Sequence, residues 1–144
     1  MSALPNKLTL SVVTPERELV HEEVDEVQLR AKRGYLGILP GHAPLLTELG
    51  MGELRYKQEG RPQYLAIVDG FAEVLPERVI VLAEIGECAG DIDLERAQQA
   101  LERARKRLSQ PAAEIDWDRA AVALARALLR VQVAQRGGAM SDHE

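Results

Sequence analysis

The hydrophobic period of this chain changes once, between Gly86 and Gly90. Before that point apolar residues fall in short runs that partly alternate. After it they recur every third or fourth position. A period of two belongs to a strand with one buried face, and a period near 3.6 to a helix with one buried stripe. The chain therefore reads as two parts in series, a β-body of about 85 residues and a helical arm.

The body is read as many short strands. Leu8–Val13 is a β-rich run that stops at Thr14-Pro15, and His21 falls in a charged turn after it. Val27, Leu29 and Ala31 share one face of the next run, with Gln28 and Arg30 on the other. Residues 34–46, GYLGILPGHAPLL, carry glycine or proline every few positions, which suits tight corners between strands. Gly52–Gln58 and Gln63–Val68 flank a turn at Glu59-Gly60-Arg61-Pro62; Phe71–Leu75 and Val79–Ala83 follow. Short, closely spaced strands with Gly/Pro turns predict a flattened antiparallel β-sandwich or a barrel.

The arm reads as an antiparallel two-helix hairpin over Asp91–Arg136. Leu94, Ala97, Leu101, Ala104 and Leu108 make the apolar stripe of the first helix; Trp117, Ala121, Leu124, Leu128 and Val131 make that of the second. Asp91 or Asp93 opens the first helix, because a carboxylate accepts the unpaired N–H groups of a first turn. Ile115 or Asp116 opens the second. Ser109-Gln110-Pro111-Ala112-Ala113 is the loop between them, and Gly137-Gly138 ends the second helix. The domains then run 1–87 for the body and 88–138 for the hairpin, with 139–144 expected as a disordered tail.

Charge narrows the function. From Cys88 onward nine acidic residues balance nine Lys or Arg, so fourteen acids against nine bases give the body the whole net charge of −5. A negative body argues against non-specific nucleic-acid binding, which needs a basic footprint. Cys88 is the only cysteine, so no internal disulfide forms and no cysteine zinc cluster is expected. No secretory signal and no run of about 18 apolar residues are seen.

Chemistry is sparse. His42, in Pro40-Gly41-His42-Ala43-Pro44, has no serine or cysteine nucleophile near it in sequence and reads as a loop-shaping or partner-facing residue. No phosphate-cradling glycine motif and no zinc spacing occur, so no catalytic or metal residue is assigned. The helix surfaces say more. Asp93, Arg96 and Arg103 fall at roughly 0°, 300° and 280° on a helical wheel, and Arg119, Arg126 and Arg130 share one line within roughly 40°. Guanidinium lines of this kind suit polyphosphate oxygens as well as solvent. By the wheel, the line on the second helix points well away from the Trp117/Leu124 stripe.

Three separated stretches resemble one family. Residues 34–46 continuing to Gly52-Glu53-Leu54, then Asp69-Gly70-Phe71-Ala72-Glu73-Val74, then Ile92-Asp93-Leu94-Glu95-Arg96-Ala97 are similar, in that order, to the epsilon subunits of F-type ATP synthases. Asp69 stands where the family's first glycine would be. The resemblance implies a sandwich of about ten strands followed by a two-helix domain, and a non-catalytic rotor subunit. Its place would be the central stalk at the cytoplasmic face of a bacterial plasma membrane, against the gamma subunit and the c-subunit ring. It also implies that the hairpin folds onto the body or extends toward the alpha and beta subunits, blocking ATP hydrolysis. No cofactor is required. In some bacterial members ATP acts as a regulatory ligand of the folded hairpin, and their ligand residues are similar to Glu87, Asp93, Arg96, Arg103, Arg126 and Arg130. Tyr35, at a position often acidic in relatives, and His42 would lie at the subunit interface.

Overall fold

The computed structural model describes residues 5–110 and 116–141. The chain divides into two compact units between Cys88 and Ala89.

The first unit is one open seven-stranded sheet in the order β2-β1-β7-β6-β5-β3-β4. Its strands are β1 (Leu8–Val13), β2 (Glu18–Val24), β3 (Glu26–Ala31), β4 (Gly34–Ile38), β5 (Leu45–Gln58), β6 (Arg61–Leu75) and β7 (Arg78–Cys88). All neighbours are antiparallel except β1 and β7, which run parallel. Fewer strands are present than the ten expected, and the reason is local. In β6, Leu65 and Ile67 face the core before the middle of the strand, and Ala72 and Val74 after it. The inward parity changes at the same level in β5, between Leu49 and Leu54, and in β7, between Ala83 and Cys88. Gly50, Asp69 and Glu84 are the positions skipped by the pairing there. Each long strand thus supplies two inward-facing segments, one to each layer of the sandwich. Read by period alone, each segment looks like a separate strand.

The crossover is tight. Asp69 and Gly70 have φ of 58° and 123°. A Cβ on Gly70 would lie 2.0 Å from the Leu82 carbonyl oxygen. Asp69 tolerates the left-handed region better than most residues. Its charge also reaches Lys32, whose ammonium pKa is raised first by its hydrogen bond to Glu48. A second turn is as sharp: Glu59 and Gly60, at φ of 53° and 78°, join β5 to β6 as a two-residue hairpin, the mirror-image type that suits strand twist. Asp25 ties it down. Its carboxylate, held below the usual range first by the hydrogen bond from Lys7, also accepts from the Gly60 N–H at 3.3 Å.

Where the sequence suggests a charged turn, Glu18–Val24 forms strand β2. His21 lies inside it, paired with Ser11 of β1, rather than in a turn. Only Val20 and Val24 of its seven residues are buried, too few to register as a period.

The second unit holds a 3₁₀ turn at Ala89–Asp91, α1 (Leu94–Ser109) and α2 (Trp117–Ser141), with the two helices packed on each other. Asp93 is the N-cap of α1; its carboxylate accepts from the Arg96 N–H at 3.1 Å. Asp116 does the same for α2, accepting from Arg119 at 3.1 Å. The stripe of α1 is as read, with Ala97 and Leu101 buried and Leu94, Ala104 and Leu108 half-buried. That of α2 is not. Ala120, Ala127, Val131 and Ala134 are buried along one line and Leu124 is half-buried beside them; Leu129 and Val133 are buried on another face, whereas Trp117 is 54% and Leu128 39% exposed. The stripe is rotated by roughly 60° from the one expected, because small alanines permit a closer approach than Trp117 and Leu128. The helix also runs on through Gly137 and Gly138 to Ser141 instead of ending there. Pro111–Ile115 and Asp142–Glu144, which include part of the expected loop and tail, lie outside the described residues.

Gly70→Ala should lower the thermal stability of the chain by at least about 2 kcal/mol, since neither the backbone angle nor the Leu82 carbonyl can yield. Asp69→Gly should leave the melting temperature unchanged or raise it. Equal losses from both substitutions would contradict this account of the crossover.

Candidate functional site

Two regions carry the residues singled out in the sequence. The first is on the body. Tyr35 sits on β4 directly opposite Arg30 of β3, and the Arg30 guanidinium lies 5.4 Å from the centre of its ring. A Cβ on Gly52 would come within 2.5 Å of the Arg30 Cβ, so the glycine leaves room for the arginine stem to lie flat. This cation–π pair was not legible in sequence, because only the β3–β4 register brings the two together. Tyr35 remains 55% exposed; Leu39, in the loop that follows β4, and Leu46, in β5, are 60% and 70% exposed. That loop is held by backbone bonds: the Gly41 N–H donates to the Pro76 carbonyl at 2.7 Å and the His42 N–H to the Leu39 carbonyl at 3.1 Å. Gly41 takes φ of 89° there. The His42 ring Nδ1 donates to the Ala43 carbonyl at 2.6 Å. Its ring thus braces the corner, and no hydroxyl or thiol is bonded to it among the described residues.

The second region is the polar flank of the hairpin. With the observed stripe of α2 as reference, Arg119, Arg126 and Arg130 lie roughly 100° from it, much nearer than the wheel alone suggested. Arg96 and Arg103 lie roughly 130° from the stripe of α1. Because the helices are antiparallel and their stripes face each other, the two arginine lines fall on the same flank. Gly137, seven residues beyond Arg130 and therefore on the same line, supports this placement. It lies against Ala89, the residue that leads into α1. Arg96, Arg103 and Arg126 are exposed, and no carboxylate pairs with them among the described residues. Arg130 is half-buried and Asp93 is committed to capping α1. Glu87 is half-buried in β7, in the other unit.

The flank gathers fixed positive charge with guanidinium donors at two successive turns of α2. It offers nothing nucleophilic. Among the described residues no group of three or more His, Cys, Asp or Glu side chains could hold a metal ion. No described helix is long and apolar enough to cross a membrane. Guanidinium donors so placed are of the kind that pair with anionic oxygens.

Known proteins resemble the chain along its length. Residues 7–89 match the family model described as the ATP synthase delta/epsilon chain beta-sandwich domain, and residues 91–135 match that of the long alpha-helix domain of the same chain. The ATP synthase epsilon chain of Solibacter usitatus is 51% identical over 109 residues, covering 76% of this chain and 81% of that protein. ATP synthase epsilon chain 2 of Syntrophotalea carbinolica is 44% identical over 136 residues, covering 94% and 99%. Among solved structures, a chain of the Euglena gracilis mitochondrial ATP synthase superposes with a TM-score of 0.68 at 21% identity, covering 99% of this chain and 85% of that one. A chain of the Tetrahymena thermophila central stalk and c-ring gives 0.58 at 11% identity, covering 92% and 99%.

Asp93→Ala should destabilise the hairpin by about 1 kcal/mol through loss of the cap, and Asp93→Asn should restore most of it. Helicity followed by circular dichroism against temperature separates this capping role from any role in binding an anion.

Proposed function

The chain belongs to the ATP synthase delta/epsilon chain family, and on that premise we propose that it couples and regulates the rotor through a hairpin that can leave the body. It is an accessory, non-catalytic subunit. In this reading the β-body seats in the central stalk against gamma and the c-ring, with Tyr35, Leu39, Leu46 and the braced His42 corner as its contact. The hairpin restrains ATP hydrolysis when it extends toward the alpha and beta subunits.

One observation carries the proposal: the chain is two compact units, and alanine fills about half of the stripe that closes the helical one, at Ala97, Ala104, Ala120, Ala127 and Ala134. An isolated pair of helices of this length is marginal in water, so such an arm depends on packing. A buried methylene contributes only about 0.8 kcal/mol, and a stripe half of alanine offers few of them. Two placements of the arm then differ by a few kcal/mol, the range in which a partner decides between them.

Arg96, Arg103 and Arg126, exposed and without a carboxylate partner among the described residues, favour a second reading, in which ATP binds the folded hairpin and holds it. At 100 times its dissociation constant a ligand adds about 2.7 kcal/mol to the form that binds it. That tips a balanced equilibrium and leaves a strongly biased one unmoved.

Removing residues 89–144 should leave a body that still assembles into the complex, with ATP hydrolysis raised relative to the full chain. A truncated body that assembles and leaves hydrolysis at the full-chain rate would overturn the regulatory reading. For the second reading, Arg126→Ala should weaken ATP binding by roughly tenfold or more, as expected for a lost charge-assisted hydrogen bond. Titration calorimetry of the intact chain with millimolar ATP reads this directly, and absence of heat in the wild type removes the reading.

A further inference from the structure

Gly137 and Gly138 stand inside α2, where each costs about 1 kcal/mol relative to alanine. Adjacent glycines ordinarily close a helix, and here the helix passes through them to Ser141. Their surroundings differ. A Cβ on Gly138 would meet nothing within 4 Å, while one on Gly137 would lie 2.5 Å from the Ala89 Cβ. An alanine methyl has no rotamer in which to retreat, so the gap at Gly137 is filled by Ala89. The 3₁₀ turn that begins at Ala89 packs on α2, and Ile92, buried just beyond it, leads directly to the Asp93 cap of α1.

We propose that Ala89 and Gly137 form a latch at the root of the hairpin, through which the last turn of α2 and the entry to α1 order together. The glycine weakens the helix on its own account and admits the contact that compensates. Two elements far apart in sequence therefore open and close as one. When the 3₁₀ turn leaves Gly137, the end of α2 loses its support and frays from 137 onward. When it closes, Ala89 covers the end of the Arg126/Arg130 line and sets Asp93 and Arg96 beside it. The latch thus decides whether the candidate anion-binding flank is assembled. Its regulatory consequence rests on the mobile-arm reading given above; the latch itself does not.

Amide hydrogen exchange on the full chain tests it, with residues 120–134 of α2 as an internal reference. Gly138→Ala should slow exchange at 136–141 by roughly fivefold, the propensity gain alone. Gly137→Ala carries the same gain but should speed exchange by about tenfold at 136–141 and at 89–92 together, because overpacking outweighs it. Moving the methyl across the contact, Ala89→Gly with Gly137→Ala, should return both segments to within about twofold of wild type. Equal slowing by the two glycine substitutions, or acceleration at 136–141 without change at 89–92, would overturn the latch. None of these readouts involves ATP hydrolysis, so a failed latch and a failed regulatory arm are told apart.

Discussion

Close approach of two helices along alanines decides how strongly the C-terminal unit holds together. Ala97 on α1 and Ala120, Ala127 and Ala134 on α2 let the backbones come near, and Leu101, Leu124 and Val131 fill the spaces between. Such a contact gains from backbone proximity and gives little area. It is specific in register and modest in strength. Both properties suit the role proposed for it, in which the hairpin reaches a defined structure and is also released from it. The caps at Asp93 and Asp116 and the contact at Gly137 then weigh heavily, since each is comparable with the margin that the stripe leaves.

The body follows the opposite logic. Its core is continuous and built from large aliphatic side chains, among them Leu8, Leu10, Leu29, Leu49, Leu54, Leu65, Val74 and Val79, all at 1% exposure or less. The long strands β5, β6 and β7 pass through both layers, so neither layer can separate without breaking three strands. Asp69-Gly70 is where that continuity is most demanding. The result is a rigid platform that presents Tyr35, Leu39 and Leu46 to solvent without needing to move them.

Much of this was legible in the sequence because the period changes sharply at Gly86–Gly90 and α1 is strongly patterned. The turn at Glu59-Gly60, the cap at Asp93 and the stripe of α1 followed from local chemistry. The stripe of α2 did not, because Trp117 and Leu128 outweigh Ala120 and Ala127 in any count of hydrophobicity while packing favours the small residues. Strand β2 escaped because its exposed face is almost wholly charged. The parity change at Asp69 escaped because it depends on how neighbouring strands fold over one another. For the candidate site, the arginine lines were visible in their spacing, but their common flank appears only once the α2 stripe is rotated into place. The Arg30–Tyr35 pair needed the β3–β4 register, and the Ala89–Gly137 contact joins residues 48 apart.

A firm body carrying a weakly closed helical unit is the claim on which the functional reading stands. Native-state hydrogen exchange across low concentrations of denaturant tests it most directly, because it reports an opening free energy for each segment. Amides of α1 and α2 should exchange through an opening several kcal/mol below that of β5, β6 and β7, as a separate cooperative step. A single opening free energy shared by Leu54, Val74, Leu101 and Val131 would mean that the chain unfolds as one body, and the account would be wrong.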